Sequence, residues 1–113
     1  MPAGYQELFL EQGTDFTTVI TLDDVNGVAY DLTGSVAKSE IKKSYYSSSN
    51  TATFVVTITA PTRGIITLDL SSRITSNIAA GRYVYDVLIK DSANSVTRIL
   101  EGTVNVLPQV TKF

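Results

Sequence analysis

The sequence predicts an all-β fold, a single antiparallel β-sandwich of about seven strands with one short helical turn. Three observations predict it. Short segments rich in β-branched and aromatic residues recur along the chain, each closed by Gly, Pro, Asn, Asp or Ser, as expected for many strands joined by turns. In Gly81 to Ile89, the residues Tyr83, Tyr85, Val87 and Ile89 fall two apart. Strand side chains alternate faces, so these four make one aromatic-aliphatic stripe suited to a core. Finally, Tyr83 follows a turn and precedes an inward residue by two positions, which is how a tyrosine corner is placed in a sandwich of the immunoglobulin-like type.

The elements follow in order. Glu7 to Glu11 is a first short strand, stopped at Gln12-Gly13. In Asp15 to Leu22, Phe16, Thr18, Ile20 and Leu22 oppose Thr17, Val19 and Thr21. Asp23-Asp24-Val25-Asn26-Gly27 is a hairpin signal, because Asn-Gly readily takes the positive φ angles of a tight turn. Val28 to Leu32 is expected to return as a strand, ended by Thr33-Gly34. From Ser35, Ala37, Ser39 and Ile41 alternate with Val36, Lys38, Glu40 and Lys42, a strand with one wet face. Lys43 to Asn50 is serine-rich and reads as an exposed loop. Thr53 to Thr59 alternates again, Pro61 to Gly64 turns, and Ile65 to Leu70 is the next strand. Ser71 is placed to cap a helical turn within Ser72 to Ala79, with Ile74 and Ile78 one turn apart over the core. The Tyr83 strand pairs through Asp91 to Ser95 with Val96 to Leu107, and Pro108 ends that ladder.

The 113 residues fit one domain, 1–113, with a core of about residues 6–108 and a short arm at each end. Hydrophobic residues at 43% can fill a core. The net charge of -2 and the scatter of nine basic residues, clustered only at Lys38, Lys42 and Lys43, argue against nucleic acid, which needs basic groups gathered on one face. No apolar run approaches the roughly 20 residues that cross a bilayer, and the amino end lacks the pattern of a signal peptide. The expectation is a soluble chain made in a cytoplasm, with no membrane partner. Without Cys or His, the usual zinc, copper and haem ligand sets are excluded, as are His-based triads and thiol nucleophiles. No metal or organic cofactor is expected.

Acidic residues offer two possible chemistries. Asp23, Asp24 and Asp31 beside Asn26 carry oxygen ligands that suit calcium, but their spacing matches no EF-hand loop and such clusters serve hairpins for backbone reasons. Glu7 with Glu11, or Asp86 with Glu101, could be paired carboxylates for glycoside hydrolysis; solvated surface charge is the simpler reading. Tyr45 and Tyr46 differ in kind. They stand beside Lys42, Lys43 and the serine loop, and aromatics with basic neighbours stack on sugars or anchor protein interfaces. The tail Gln109 to Phe113 is too short for a further domain, yet Val110 and Phe113 could fill pockets if it added a strand to a neighbouring sheet.

The order of motifs carries a resemblance. Gly13-Thr14-Asp15-Phe16, Asp31-Leu32-Thr33-Gly34, the basic strand Lys38 to Lys43, Gly64-Ile65-Ile66-Thr67-Leu68, Ala80-Gly81-Arg82-Tyr83-Val84-Tyr85-Asp86-Val87 and Arg98-Ile99-Leu100-Glu101-Gly102-Thr103-Val104 occur in that order. Over about residues 6–108 the chain resembles the small β-sandwich of virion structural proteins of tailed bacteriophages, cyanophage-like myoviruses included. It is similar in layout to the amino-terminal domain of upper-baseplate proteins of some siphophages. The resemblance implies a non-catalytic module that docks onto capsid, neck, tail or baseplate, repeated by symmetry among other virion proteins and located in the virion after assembly in the host cytoplasm. Standing almost alone, it fits a small decoration, attachment or adaptor subunit. The alternative is a carbohydrate-binding or adhesion sandwich that meets a surface glycan through Tyr45, Tyr46 and the serine loop.

Overall fold

Alternation of apolar and polar residues sets the strands. The computed structural model describes residues 4–23, 26–47 and 51–112. Its strands are β1 (Gly4–Tyr5), β2 (Leu8–Glu11), β3 (Phe16–Thr21), β4 (Val36–Lys42), β5 (Ala52–Ala60), β6 (Ile65–Leu70), β7 (Gly81–Lys90) and β8 (Val96–Leu107). One 3-10 turn, Pro61–Arg63, joins β5 to β6, and one helical turn, α1 (Ser72–Thr75), lies between β6 and β7. The fold is an all-β, immunoglobulin-like sandwich.

The first sheet runs β8-β7-β4-β5 and the second β5-β6-β3. Strand β5 belongs to both. Ser39 to Ile41 of β4 pair with Ala52 to Phe54, whereas Val55 to Ala60 pair with β6. The polypeptide thus turns the corner between sheets within one strand, and the whole is a single curled surface folded on itself. Tyr83, Tyr85, Val87 and Ile89 are all buried, as their spacing predicts. The Tyr83 hydroxyl donates to the Ala79 carbonyl at 2.7 Å, completing the tyrosine corner. Between the layers, the Phe54 ring meets Phe16 at 5.9 Å and the edge of Tyr85 at 6.0 Å.

Strand β8 departs from strict alternation. Val87 pairs with Leu100 but Leu88 pairs with Arg98, leaving Ile99 as an extra residue. This bulge lets Ile99 and Leu100, adjacent in sequence, both enter the core. It also leaves Arg98 and Glu101 together on the outer surface.

Five expectations are corrected. The sandwich is not wholly antiparallel, since β1 and β2 both pair with β8 in parallel. Gly4 and Tyr5, placed in the amino-terminal arm by the sequence, are instead paired: they lie opposite Leu100 and Glu101, while residues 1–3 lie outside the described residues. Val28 to Leu32 is not a returning strand. Asp23 and Ala29 form an isolated bridge, after which the Tyr30 N–H donates to the Leu22 carbonyl and the Leu32 N–H to the Pro61 carbonyl. The neighbours β3 and β4 lie in different sheets, so this segment must cross between layers, and its apolar residues Tyr30 and Leu32 plug the end of the core on the way. Finally, Ser71 makes no side-chain cap. The Asp15 carboxylate, distant in sequence, accepts the Ser72 N–H at 2.7 Å instead, and Thr75 inserts its hydroxyl onto the Thr14 carbonyl at 2.8 Å. With α1 held from that side, Ile78 is buried but Ile74 faces solvent. Removing the cap with Asp15→Ala should cost about 1 kcal/mol, measurable as a lowered thermal midpoint, and Ser71→Ala should cost far less.

Tyr85 joins the core to the amino-terminal strands. Between β1 and β2 the chain passes directly over Gly102, and the Tyr85 hydroxyl donates to the Gln6 carbonyl at 2.8 Å. A Cβ at Gly102 would strike the Gln6 backbone, so this crossing requires glycine. Burial pushes the Tyr85 phenol above the ordinary tyrosine value, and the nearby Tyr5 adds to the rise. An unfolded tyrosine ionises near about pH 10, while the folded one keeps its proton higher still. Its contribution is whole below that pH and is lost above it, by up to about 1.4 kcal/mol per pH unit. Unfolding midpoints should drop steeply in that alkaline range. Tyr85→Phe should flatten the drop, at a loss of about 1 kcal/mol at neutral pH for the missing bond to Gln6.

Candidate functional site

The outer face of β4, β7 and β8 is the surface that the sequence marks by charge. Register sets its rows: Val36 opposite Lys90, Lys38 opposite Leu88, Glu40 opposite Asp86 and Lys42 opposite Val84. On the far side of β7, Leu88 lies opposite Arg98 and Asp86 opposite Glu101. A shallow groove of about 340 Å³ runs along this face, with Lys38, Lys42, Asp86, Leu88 and Arg98 on its floor and sides and Tyr45 at one end.

Asp86 and Glu101, the pair considered for acid-base chemistry, do come together across neighbouring strands. Arg98 sits between them, with Nε 3.4 Å from the Asp86 carboxylate and a guanidinium nitrogen 3.4 Å from that of Glu101. The β-bulge produces this arrangement by leaving Arg98 and Glu101 on one face. Chemically it is an exposed ion-pair cluster, of a kind worth at most about 1 kcal/mol. Glu7 and Glu11 do not form a pair: Glu7 accepts the Thr103 hydroxyl at 3.3 Å, while Glu11 ends β2.

The tyrosine loop has a specific form. The Ser47 N–H donates to the Ser44 carbonyl at 3.2 Å, closing a turn with Tyr45 and Tyr46 at its two central positions. Tyr45 is 55% exposed and Tyr46 96% exposed. Lys42 is half-buried beside the groove and Lys43 is exposed.

The carboxyl-terminal tail begins tied down. The Gln12 side chain donates to the Ile78 carbonyl at 2.7 Å and accepts the Gln109 N–H at 3.2 Å. Beyond that anchor Val110 is 98% exposed; Phe113 lies outside the described residues. Register brings tail and loop to one end of the molecule. Lys42 is opposite Val84, and Gly81, where β7 begins, is opposite Val106. The loop after Lys42 and the tail after Leu107 therefore leave the sheet at the same end. Sequence reasoning named both features but not their proximity. Lys38 stood out only as part of the basic strand, and neither the groove nor the position of Arg98 between Asp86 and Glu101 was foreseen, because cross-strand register and the bulge at Ile99 leave no local signal.

Asp31 accepts the Thr33 hydroxyl at 2.6 Å and the Thr33 N–H at 3.0 Å, and these bonds, the hydroxyl first, hold its carboxyl below the usual range. This is an Asx-type turn. Among the described residues no group of three or more acidic side chains gathers as a metal site; Asp24 lies outside them.

No protein-family model and no curated protein matches the chain. Solved structures do. CopC from Methylosinus trichosporium OB3b is similar at 13% identity and a TM-score of 0.53, over 99% of this chain and 92% of that one. An internalin-like protein of Listeria monocytogenes shows 17% identity and a TM-score of 0.47, over 95% of this chain but 28% of that one. Murine CRIg shows 9% identity and a TM-score of 0.45, over 92% of each chain. At 13% identity the likeness to CopC is one of fold.

Proposed function

We propose that the protein is a non-catalytic structural subunit working through protein–protein contacts, and that it serves a tailed-phage virion as a decoration, attachment or adaptor protein on capsid, neck, tail or baseplate. One observation carries the contact reading. Two exposed tyrosines at the corner of a tight turn and a tail with exposed Val110 leave the same end of one sheet, beside a groove of mixed charge. Exposed Tyr flanked by Lys is the composition of an interface anchor: a large rigid contact area rimmed by charge that orients the partner. The virion assignment is supported by the order of motifs across nearly the whole chain.

The test has two parts. Mass spectrometry of purified virions should find the chain in many copies per particle; its absence from particles overturns the assignment. Deleting residues 109–113, or changing Tyr45 and Tyr46 together to Ser, should leave the fold intact by circular dichroism and reduce incorporation. Unchanged incorporation of both variants removes this end as the contact. Tyr45 at the head of the groove also favours a glycan-binding reading. Glycan-array binding that disappears with Tyr45→Ser would establish it instead.

A further inference from the structure

Strand β3 has one partner. It pairs antiparallel with β6 from Phe16 opposite Leu70 to Thr21 opposite Ile65, and among the described residues no strand is paired with its other side. We propose that this free edge pairs with β3 of a second copy, antiparallel about a two-fold axis, so that two three-stranded sheets become one of six strands.

The direction of the open backbone groups follows from the ladder. One step past Thr21, the Leu22 N–H donates to the Gly64 carbonyl at 2.8 Å, so Leu22 stands at a position of the ladder whose N–H turns toward the β6 side. Hydrogen-bonded and non-hydrogen-bonded pairs alternate along an antiparallel ladder. Ile20, Thr18 and Phe16 therefore direct their N–H and C=O groups toward β6. Thr17, Val19 and Thr21 direct theirs outward, along the free edge. Natural edges are commonly guarded by Lys, Pro or a bulge. The segment Phe16-Thr17-Thr18-Val19-Ile20-Thr21 has no charge and no proline, and its register with β6 is unbroken.

For a second copy, charge and pleat together restrict the register. Inner faces stay on the same side of the joined sheet when paired residue numbers sum to an even value, because side chains alternate with period two. An axis through Val19 would set Asp15 against Asp23 of the second copy, twice, and like charges directly opposite destabilise a sheet. An axis through Thr18 avoids this. It sets Thr17 against Val19 and Asp15 against Thr21, and the outward groups of Thr17 and Val19 meet those of Val19 and Thr17. β-branched pairs of this kind are favourable across strands. Such an interface is isologous and closes at two copies, consuming the edge that would otherwise recruit further chains. It lies on the second sheet and involves neither the tyrosine loop nor the groove, so it stands or falls independently of the virion reading.

Sedimentation velocity of the purified full chain over a range of concentrations tests it. The wild type should sediment as a dimer. Val19→Pro removes an outward N–H that the intrachain ladder does not use, a position where edge strands accept proline; it should keep the wild-type circular dichroism and sediment as a monomer. Val19→Lys installs a natural edge guard and should do the same if the proline variant misfolds. A monomeric wild type overturns the proposal. So does a folded Val19→Lys variant that remains dimeric, or a dimer abolished by deleting residues 109–113, which would identify the tail as the added strand.

Discussion

Tyr85→Ala should lose about 3–5 kcal/mol of folding stability, the range seen when large buried aromatics are truncated. Three things go at once. The ring leaves a void beside Phe54, which it meets edge to face at 6.0 Å, within a core where Tyr85 is 2% exposed. The Gln6 carbonyl loses its 2.8 Å donor. The crossing over Gly102 loses the side chain that holds it in place. Against a typical domain stability of roughly 5–15 kcal/mol, such a loss is a large share, and chemical denaturation should show a much lower midpoint. Little change in midpoint would mean that the two faces of β7 contribute in the reverse sense.

Gly64→Ala should be nearly as severe. Gly64 ends the 3-10 turn with φ +66, a left-handed conformation costing other residues roughly 1–2 kcal/mol. The added Cβ would also meet the Leu22 carbonyl oxygen and, at 2.7 and 2.9 Å, the backbone oxygen and nitrogen of Tyr30. Those are rigid main-chain atoms in the knot where the interlayer crossing binds Leu22, and overpacking of that kind costs typically about 1–3 kcal/mol. The natural comparison is Gly27→Ala. Gly27 has φ +78 but open space around it, so that variant should show the conformational cost alone. A Gly64→Ala midpoint no lower than that of Gly27→Ala would show that the crossing yields to a methyl group.

Strands with strong alternation were legible from the spacing of their residues. Phe54, Val56 and Ile58 point inward from β5, and Tyr83 to Ile89 do so from β7, because burial and period two leave a direct imprint on residue type. The loop was legible too over its described residues Lys43 to Ser47, since Ser-rich stretches rarely pack; residues 48–50 lie outside them. What stayed hidden depends on residues far apart in the chain. The parallel addition of β1 and β2 to β8, the sharing of β5 between sheets and the capping of α1 by Asp15 are all decided by tertiary placement. The segment Val28 to Leu32 misled for an instructive reason. Its Tyr30 and Leu32 have the spacing of a strand, but a chain crossing between layers also buries alternate residues. At the candidate surface, Tyr45 and Tyr46 could be found by their company with Lys42 and Lys43. The Arg98 cluster could not, because it exists through one extra residue at Ile99.

The parallel pairing at the amino-terminal edge has a mechanical consequence. Leu8 to Glu11 of β2 run in the same direction as Val104 to Leu107 of β8, residue against residue. Tension applied between the two ends of the chain draws β2 toward its beginning and β8 toward its end, along their common axis. The hydrogen bonds between them then bear the load together, in shear, rather than opening one after another like a zipper. Gly4 and Tyr5, opposite Leu100 and Glu101, extend the same clamp. A subunit fastened at both termini would transmit a pull through its edge while its core stayed closed.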